Sequence, residues 1–207
     1  MIEENTSERF WERRYQEQSS TSSGRPSAAL TRFVEGRASG RALELGCAKG
    51  DDAVWLARQG WTVTAVDVSQ TALGYARSNA ETAGVADRIR FERHDLGQSF
   101  PDGTFDLVTA CYLQSPVEFP RAAILRRAAA AVAPGGMLLI ATHGSVAPWS
   151  RSDPNTVFST AEEEFEQLDL DPEAWERVFV GSSEREARHQ DGRTAKVLDI
   201  GVVLTRR

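Results

Sequence analysis

The chain has 207 residues, 41% hydrophobic and 26% charged, the profile of a soluble globular protein with one full core. A net charge of −6 with basic residues scattered among acids argues against a nucleic-acid surface. No stretch has the apolar length of a membrane span, and Met1 to Gln18 is too charged for a signal peptide, so the expectation is a cytoplasmic protein with no membrane partner. Cys47 and Cys111 are too few for a disulfide framework, and His94, His143 and His189 show no metal-ligand spacing, so no metal is expected.

Thr6 or Ser7 can cap a first helix to about Gln18, with Phe10, Trp11 and Tyr15 on one face. Gln18 to Pro26 is polar and reads as a loop, followed by a second helix over about 27–35. Arg41 to Leu45 is a short apolar strand. Gly46 to Gly50 is a small-residue turn, after which Asp51 and Asp52 can cap a helix ending near Gly60. Trp61 to Asp67 is a strand with an acid at its carboxyl end. Ser69 caps a helix closed by Gly84, and Arg88 to Glu92 alternates as a third strand. Phe105 to Cys111 is a fourth, more buried strand. An alanine-rich helix over 121–132 stops at Pro134-Gly135-Gly136, and Met137 to Thr142 is a fifth strand.

Alternating strands and helices with short links predict a parallel sheet with right-handed crossovers. The pattern then changes. A long loop over 143–159 leads to an acidic helix with a Thr160-x-x-Glu163 capping box. Two extended segments flank Asp191-Gly192, a hairpin signal. Neither an internal repeat nor a second domain is visible, so residues 1–207 read as a single domain. Residues 1–40 make an N-terminal helical lid, 41–142 a cofactor-binding core, and 143–207 a substrate loop, helix and terminal hairpin.

A strand that stops, turns on glycines and launches a helix aims backbone N–H groups at one point. Three readings of such a turn compete here. A phosphate-cradling loop needs Gly-Lys-Ser/Thr, and Gly50 is followed by Asp51. A dinucleotide fingerprint would place Ala48 and Asp51 where glycines belong. The pattern acid-x-Gly-x-Gly-x-Gly fits Glu44-x-Gly46-x-Ala48-x-Gly50 with one change. Here the chain resembles the class I S-adenosylmethionine (SAM) dependent methyltransferases. Trp11, Tyr15 and the following Arg25-Pro26 resemble their small-molecule branch, which includes thiopurine and tellurite-resistance methyltransferases. The resemblance implies an α/β fold: a Rossmann-like, seven-stranded, mostly parallel sheet with a C-terminal antiparallel hairpin and an N-terminal helical lid. It also implies SAM as cofactor, with S-adenosylhomocysteine as product.

In an open parallel sheet, ligands bind outside the carboxyl ends of the strands. That rule selects Glu44, Gly46, Cys47 and Gly50 after strand one, Asp67 and Val68 after strand two, and Asp95 and Leu96 after strand three. Cys111, Tyr112 and Gln114 follow strand four. Asp67 lies at the spacing from Glu44 at which an acid reaches a ribose, and Asp95 resembles the family acid that meets adenine. Tyr15 and Trp11 are candidates to cover the sulfonium, and His143 is the best-placed base. Tyr15 and His143 are therefore the candidate catalytic residues. The expected reaction is in-line methyl transfer to an O, N or S nucleophile of a small molecule by a monomer or homodimer. The alternatives are a non-catalytic SAM-binding regulator or scaffold of the same fold and, less compatible with the glycine turn, a nicotinamide-dependent oxidoreductase.

Overall fold

The computed structural model describes residues 6–150, 153, 156–189 and 191–207. Helices α1 (Ser7–Gln16) and α2 (Ala28–Val34) precede strand β1 (Arg41–Leu45). Then follow α3 (Asp51–Arg58), β2 (Thr62–Asp67), α4 (Gln70–Thr82), β3 (Ile89–Arg93), β4 (Phe105–Cys111), α5 (Arg121–Ala130) and β5 (Val132–His143). Helix α6 (Ala161–Glu166) leads to β6 (Trp175–Arg188) and β7 (Thr194–Arg206). The seven strands form one sheet in the order β3-β2-β1-β4-β5-β7-β6. Strands β1 to β5 are parallel, and β7 is antiparallel to both β5 and β6.

The central strands are buried on both faces, which is why β1 and β4 read as near-continuous apolar runs. Alternate residues feed opposite layers. Ala42 packs with Leu30, Leu56 and Leu73 from α2, α3 and α4, whereas Leu43 and Leu45 pack with Ile124 and Leu125 from α5. The expected fold class holds. Its chain reversal between β2 and β4, on either side of β1, opens a crevice at the carboxyl edge.

Local differences from the sequence reading have physical causes. Strand β5 starts at Val132 rather than Met137, because Val132 pairs with Phe105 before a bulge re-sets the register at Leu107 and Met137. Gly136 lies in that bulge, where a Cβ would come within 2.8 Å of the Ala133 carbonyl. Asp51 and Asp52 do not cap α3. Gly50 is the N-cap, with φ of 81° and no side-chain cap bond, and the two carboxylates are used elsewhere. Ser69 does cap α4, accepting from the Ala72 N–H at 3.0 Å, and Thr160 and Glu163 do form a capping box.

The terminal hairpin is longer than its neighbour. Strand β7 pairs with β5 from Thr205 back to Asp199, opposite His143, but with β6 all the way back to Thr194. A two-stranded ribbon therefore continues past the end of β5.

Candidate active site

The turn after β1 is built on the neighbouring strand. The N–H groups of Gly46 and Cys47 both donate to the Val66 carbonyl of β2, at 2.9 and 2.8 Å. Gly46, Ala48 and Gly50 all have positive φ, at 74°, 49° and 81°. Ala48 thus sits in the left-handed region, at a cost of about 1–2 kcal/mol. A Cβ on Gly46 would meet the Leu113 side chain at 2.8 Å.

Asp67 closes this turn. One carboxylate oxygen accepts from the Ala48 N–H at 3.0 Å and the other from the Ser69 N–H at 2.9 Å. Burial pushes its carboxyl up to about 6, although those two N–H groups pull the other way. Glu44 is shifted further. Burial drives its carboxyl well above the ordinary range, and Asp52, Asp67 and Asp51 add like charge. Its Oε2 is buried without a hydrogen-bond partner among the described residues. Asp95 accepts from the Gly97 N–H at 3.1 Å and from the Gln98 amide at 2.8 Å.

The N-terminal segment is pinned over this edge by carboxylates. Glu12 of α1 accepts from the Ser69 hydroxyl (2.7 Å), the Thr71 hydroxyl (2.5 Å) and the Thr71 N–H (3.2 Å) at the start of α4. Asp51 takes the Ser23 hydroxyl at 2.7 Å and the Gly24 N–H at 3.0 Å, and Asp52 takes the Ser27 N–H at 2.6 Å. The two acids read as caps of α3 therefore hold the 23–27 strap. Trp11 Nε1 donates to the Ser115 hydroxyl at 3.3 Å, and Glu8 pairs with Arg93. Burial, and then the charge of Asp67, raise the Tyr15 hydroxyl well above its usual pKa.

At the other end of the cleft lies a cluster that the sequence reading did not assemble. Tyr112 has φ of 56°, an uncommon conformation for an aromatic residue. Its hydroxyl donates to Asp199 Oδ2 at 2.7 Å, and Arg185 Nε donates to the same oxygen at 2.6 Å. Asp199 is 4% exposed, and its Oδ1 has no partner among the described residues. Tyr112 appeared only as a strand-end position. Arg185 and Asp199 gave no sequence signal, since only the hairpin register places them beside β4.

Of the expected site residues, Trp11, Tyr15, Glu44, Gly46, Cys47, Asp67, Val68, Asp95, Leu96 and Cys111 line one cleft of about 880 Å³. Two do not. Gly50 faces α4, where a Cβ would lie 3.0 Å from that of Ala76, so its role is to shape the turn. His143 lies behind Tyr112, with the two rings stacked at 4.5 Å. Partial burial lowers its pKa, while Asp199 pulls it upward. Cys111 is at the rim of the strap, its sulfur accepting from the Ser27 hydroxyl at 3.3 Å, and burial pushes its thiol well up.

A seven-stranded sheet in this order, with a glycine turn after β1 and acids at the ends of β1, β2 and β3, defines the class I SAM-dependent methyltransferase fold. Residues 42–136 match the family model described as a methyltransferase domain. It is 36% identical over 104 residues to methyltransferase GfsG of Streptomyces halstedii, which covers 49% of this chain and 37% of that protein. The chain spans less than half the length of the curated relatives it matches first. Among solved structures, one described as converting a disulfide bond into a thioacetal group during echinomycin biosynthesis has a TM-score of 0.70. It is 22% identical and covers 96% of this chain and 92% of its own. N-methyltransferase NodS from Bradyrhizobium japonicum, solved with S-adenosylhomocysteine, has a TM-score of 0.60 at 21% identity, covering 86% and 83%. At these identities the solved structures speak for the fold.

The residues present fit a sulfonium nucleoside. The cleft end below α1 and the 23–27 strap is rich in acids, and one buried carboxylate oxygen of Glu44 lacks a partner among the described residues. A pyrophosphate would meet those acids unfavourably, whereas an ammonium and a sulfonium would not.

Proposed function

We propose that this protein transfers a methyl group from SAM to a small-molecule acceptor. The observation that carries the reading is that Glu44, Asp67 and Asp95, from the ends of three strands, open on one cleft under a pinned helical lid. Asp67 has one lone pair left on each oxygen after its two backbone contacts, which suits two ribose hydroxyls. Asp95 and the Leu96 N–H suit the adenine edge. The unpartnered Glu44 Oε2 suits the ammonium of the amino-acid end.

Bound SAM would supply an electrophilic methyl on a charged sulfur. The chain's own contribution is placement. Holding two reactants in a near-attack pose supplies roughly 7–11 kcal/mol, against roughly 3–5 kcal/mol for a general base. Trp11 and Tyr15 cover the cleft and exclude water. Tyr112 forms the wall opposite them, fixed by Asp199 and backed by the His143 ring.

Calorimetric titration with SAM, S-adenosylhomocysteine and NAD tests the reading. Binding of the first two but not the third is expected, and preference for NAD or no binding of either nucleoside refutes it. Release of S-adenosylhomocysteine on turnover across an acceptor panel separates an enzyme from a SAM-binding scaffold.

A further inference from the structure

We propose that the methyl acceptor carries an oxyanion, a carboxylate or a phosphate, and that the Arg185 guanidinium reads it. This rests on the methyltransferase reading above and names the acceptor class.

The cleft is divided by charge. Glu44, Asp51, Asp52, Asp67 and Asp95 outnumber Arg25 and Lys49 at the end built by β1 to β3 and the strap, and the Lys49 ammonium is turned to the Thr21 carbonyl. The opposite wall, supplied by the hairpin ribbon, brings Arg185 and Arg188 into the cleft, with Glu186 beside them and the nearly buried Asp199 behind Arg185. One end thus suits a cation and the other an anion, and a methyl donor and its acceptor must sit end to end.

Arg185 is held ready for such a group. Its Nε–H is taken by Asp199, whose carboxylate is nearly buried and also accepts from Tyr112. That pair fixes the plane of the guanidinium. Tyr112 is its other close polar neighbour, and the side chain is 28% exposed where it lines the cleft. Two parallel Nη–H donors in one plane match the two oxygens of a carboxylate or phosphate. Arg188 has no ion-pair partner among the described residues and sits at the exposed mouth, where it adds attraction without geometry. The Arg185 guanidinium also lies over the Tyr112 ring, 5.8 Å from its centre, a second contact that holds it at this wall.

The test uses the full chain saturated with S-adenosylhomocysteine and three probes: benzoate, phenyl phosphate and the neutral benzamide. Affinity is read by ligand-observed NMR titration at low and high salt. Wild type should bind at least one anion about tenfold or more tightly than benzamide, with the preference shrinking in salt. A lead by benzoate or by phenyl phosphate identifies the oxyanion and supports the proposal either way. Arg185→Gln should erase the preference while leaving S-adenosylhomocysteine affinity intact. Arg185→Lys, which keeps the charge opposite Asp199 but loses the fork, should retain part of it, and Arg188→Gln should weaken it several-fold. Equal binding of benzamide, no saturable binding of any probe, or a full preference in both Arg185→Lys and Arg188→Gln overturns the proposal. If Arg185→Gln does not fold, those two variants decide. Nucleoside binding without an anion preference sinks this proposal alone; failure to bind the nucleoside sinks the methyltransferase reading and this one with it.

Discussion

Asp67→Ala at pH 8 separates the roles of this carboxylate in folding and in binding. Each of its oxygens accepts one backbone N–H, from Ala48 and from Ser69, and so has one position left for a ligand hydroxyl. Hydrogen bonds to a charged acceptor are worth about 1.5–3 kcal/mol each, so two lost ribose contacts amount to roughly 3–6 kcal/mol. Affinity for S-adenosylhomocysteine should fall by about 10² or more. Folding should suffer less. The carboxyl is raised from 3.8 to about 6, so burying its charge at pH 8 costs the native state about 3 kcal/mol. Removing that charge offsets the two lost backbone contacts. The assay pairs calorimetric titration with a urea unfolding curve. A variant that binds within about threefold of wild type refutes the assignment. One that binds weakly only because it has unfolded refutes the offset.

The same carboxyl sets a pH dependence: below about 4 it is protonated in both states, between about 4 and 6 only the unfolded chain ionises it, and above 6 the penalty is complete. Urea stability should therefore rise as pH falls from about 6 toward 4, and Asp67→Asn should flatten that slope; an unchanged slope refutes the shift. Glu12→Ala should speed amide exchange in residues 7–16 while β1 and β4 stay protected, because three contacts to the start of α4 are lost; unchanged exchange would mean that α1 is held elsewhere. Ala48→Gly should relieve a left-handed alanine by about 1–2 kcal/mol against roughly 0.5–1 kcal/mol of added chain entropy, a small net rise in melting temperature; a fall counts against strain at this turn. His143→Ala should lower stability by about 0.5–1.5 kcal/mol through the lost ring stack and slow turnover with an acceptor in hand, at unchanged S-adenosylhomocysteine affinity; full activity removes it from the reaction.

Legibility in the sequence followed the range of the interactions. The glycine turn and its acids could be read because the chemistry is local: a strand end, a positive φ and a helix start lie within a few residues of Glu44 and Gly50. The sheet could be read because its central strands are apolar runs broken by glycine and serine signals. Asp51 and Asp52 were misread because a carboxylate at a helix start fits capping equally well, and only the returning 23–27 strap shows which donors it takes. Arg185 and Asp199 were invisible because they are 14 residues apart and meet Tyr112 only through the register of β6, β7 and β5. His143 shows the converse. It follows β5 as a site residue would, but Tyr112 turns into the left-handed region and its ring takes the place at the cleft.

The acids at this end of the cleft repel one another. Glu44 is raised by its own burial and then by Asp52, Asp67 and Asp51, and Asp52 is itself raised by burial. Each carboxylate makes its neighbours harder to ionise, so at neutral pH the free protein holds this edge against its own charge. A ligand bringing a sulfonium and an ammonium relieves that repulsion on arrival, and it does so more the more fully the acids are ionised. Losing the methyl removes the sulfonium charge and part of the relief. On the methyltransferase reading proposed above, the same cluster would tell donor from product, and the difference in thermal stabilisation by SAM and by S-adenosylhomocysteine should widen as pH rises through 6.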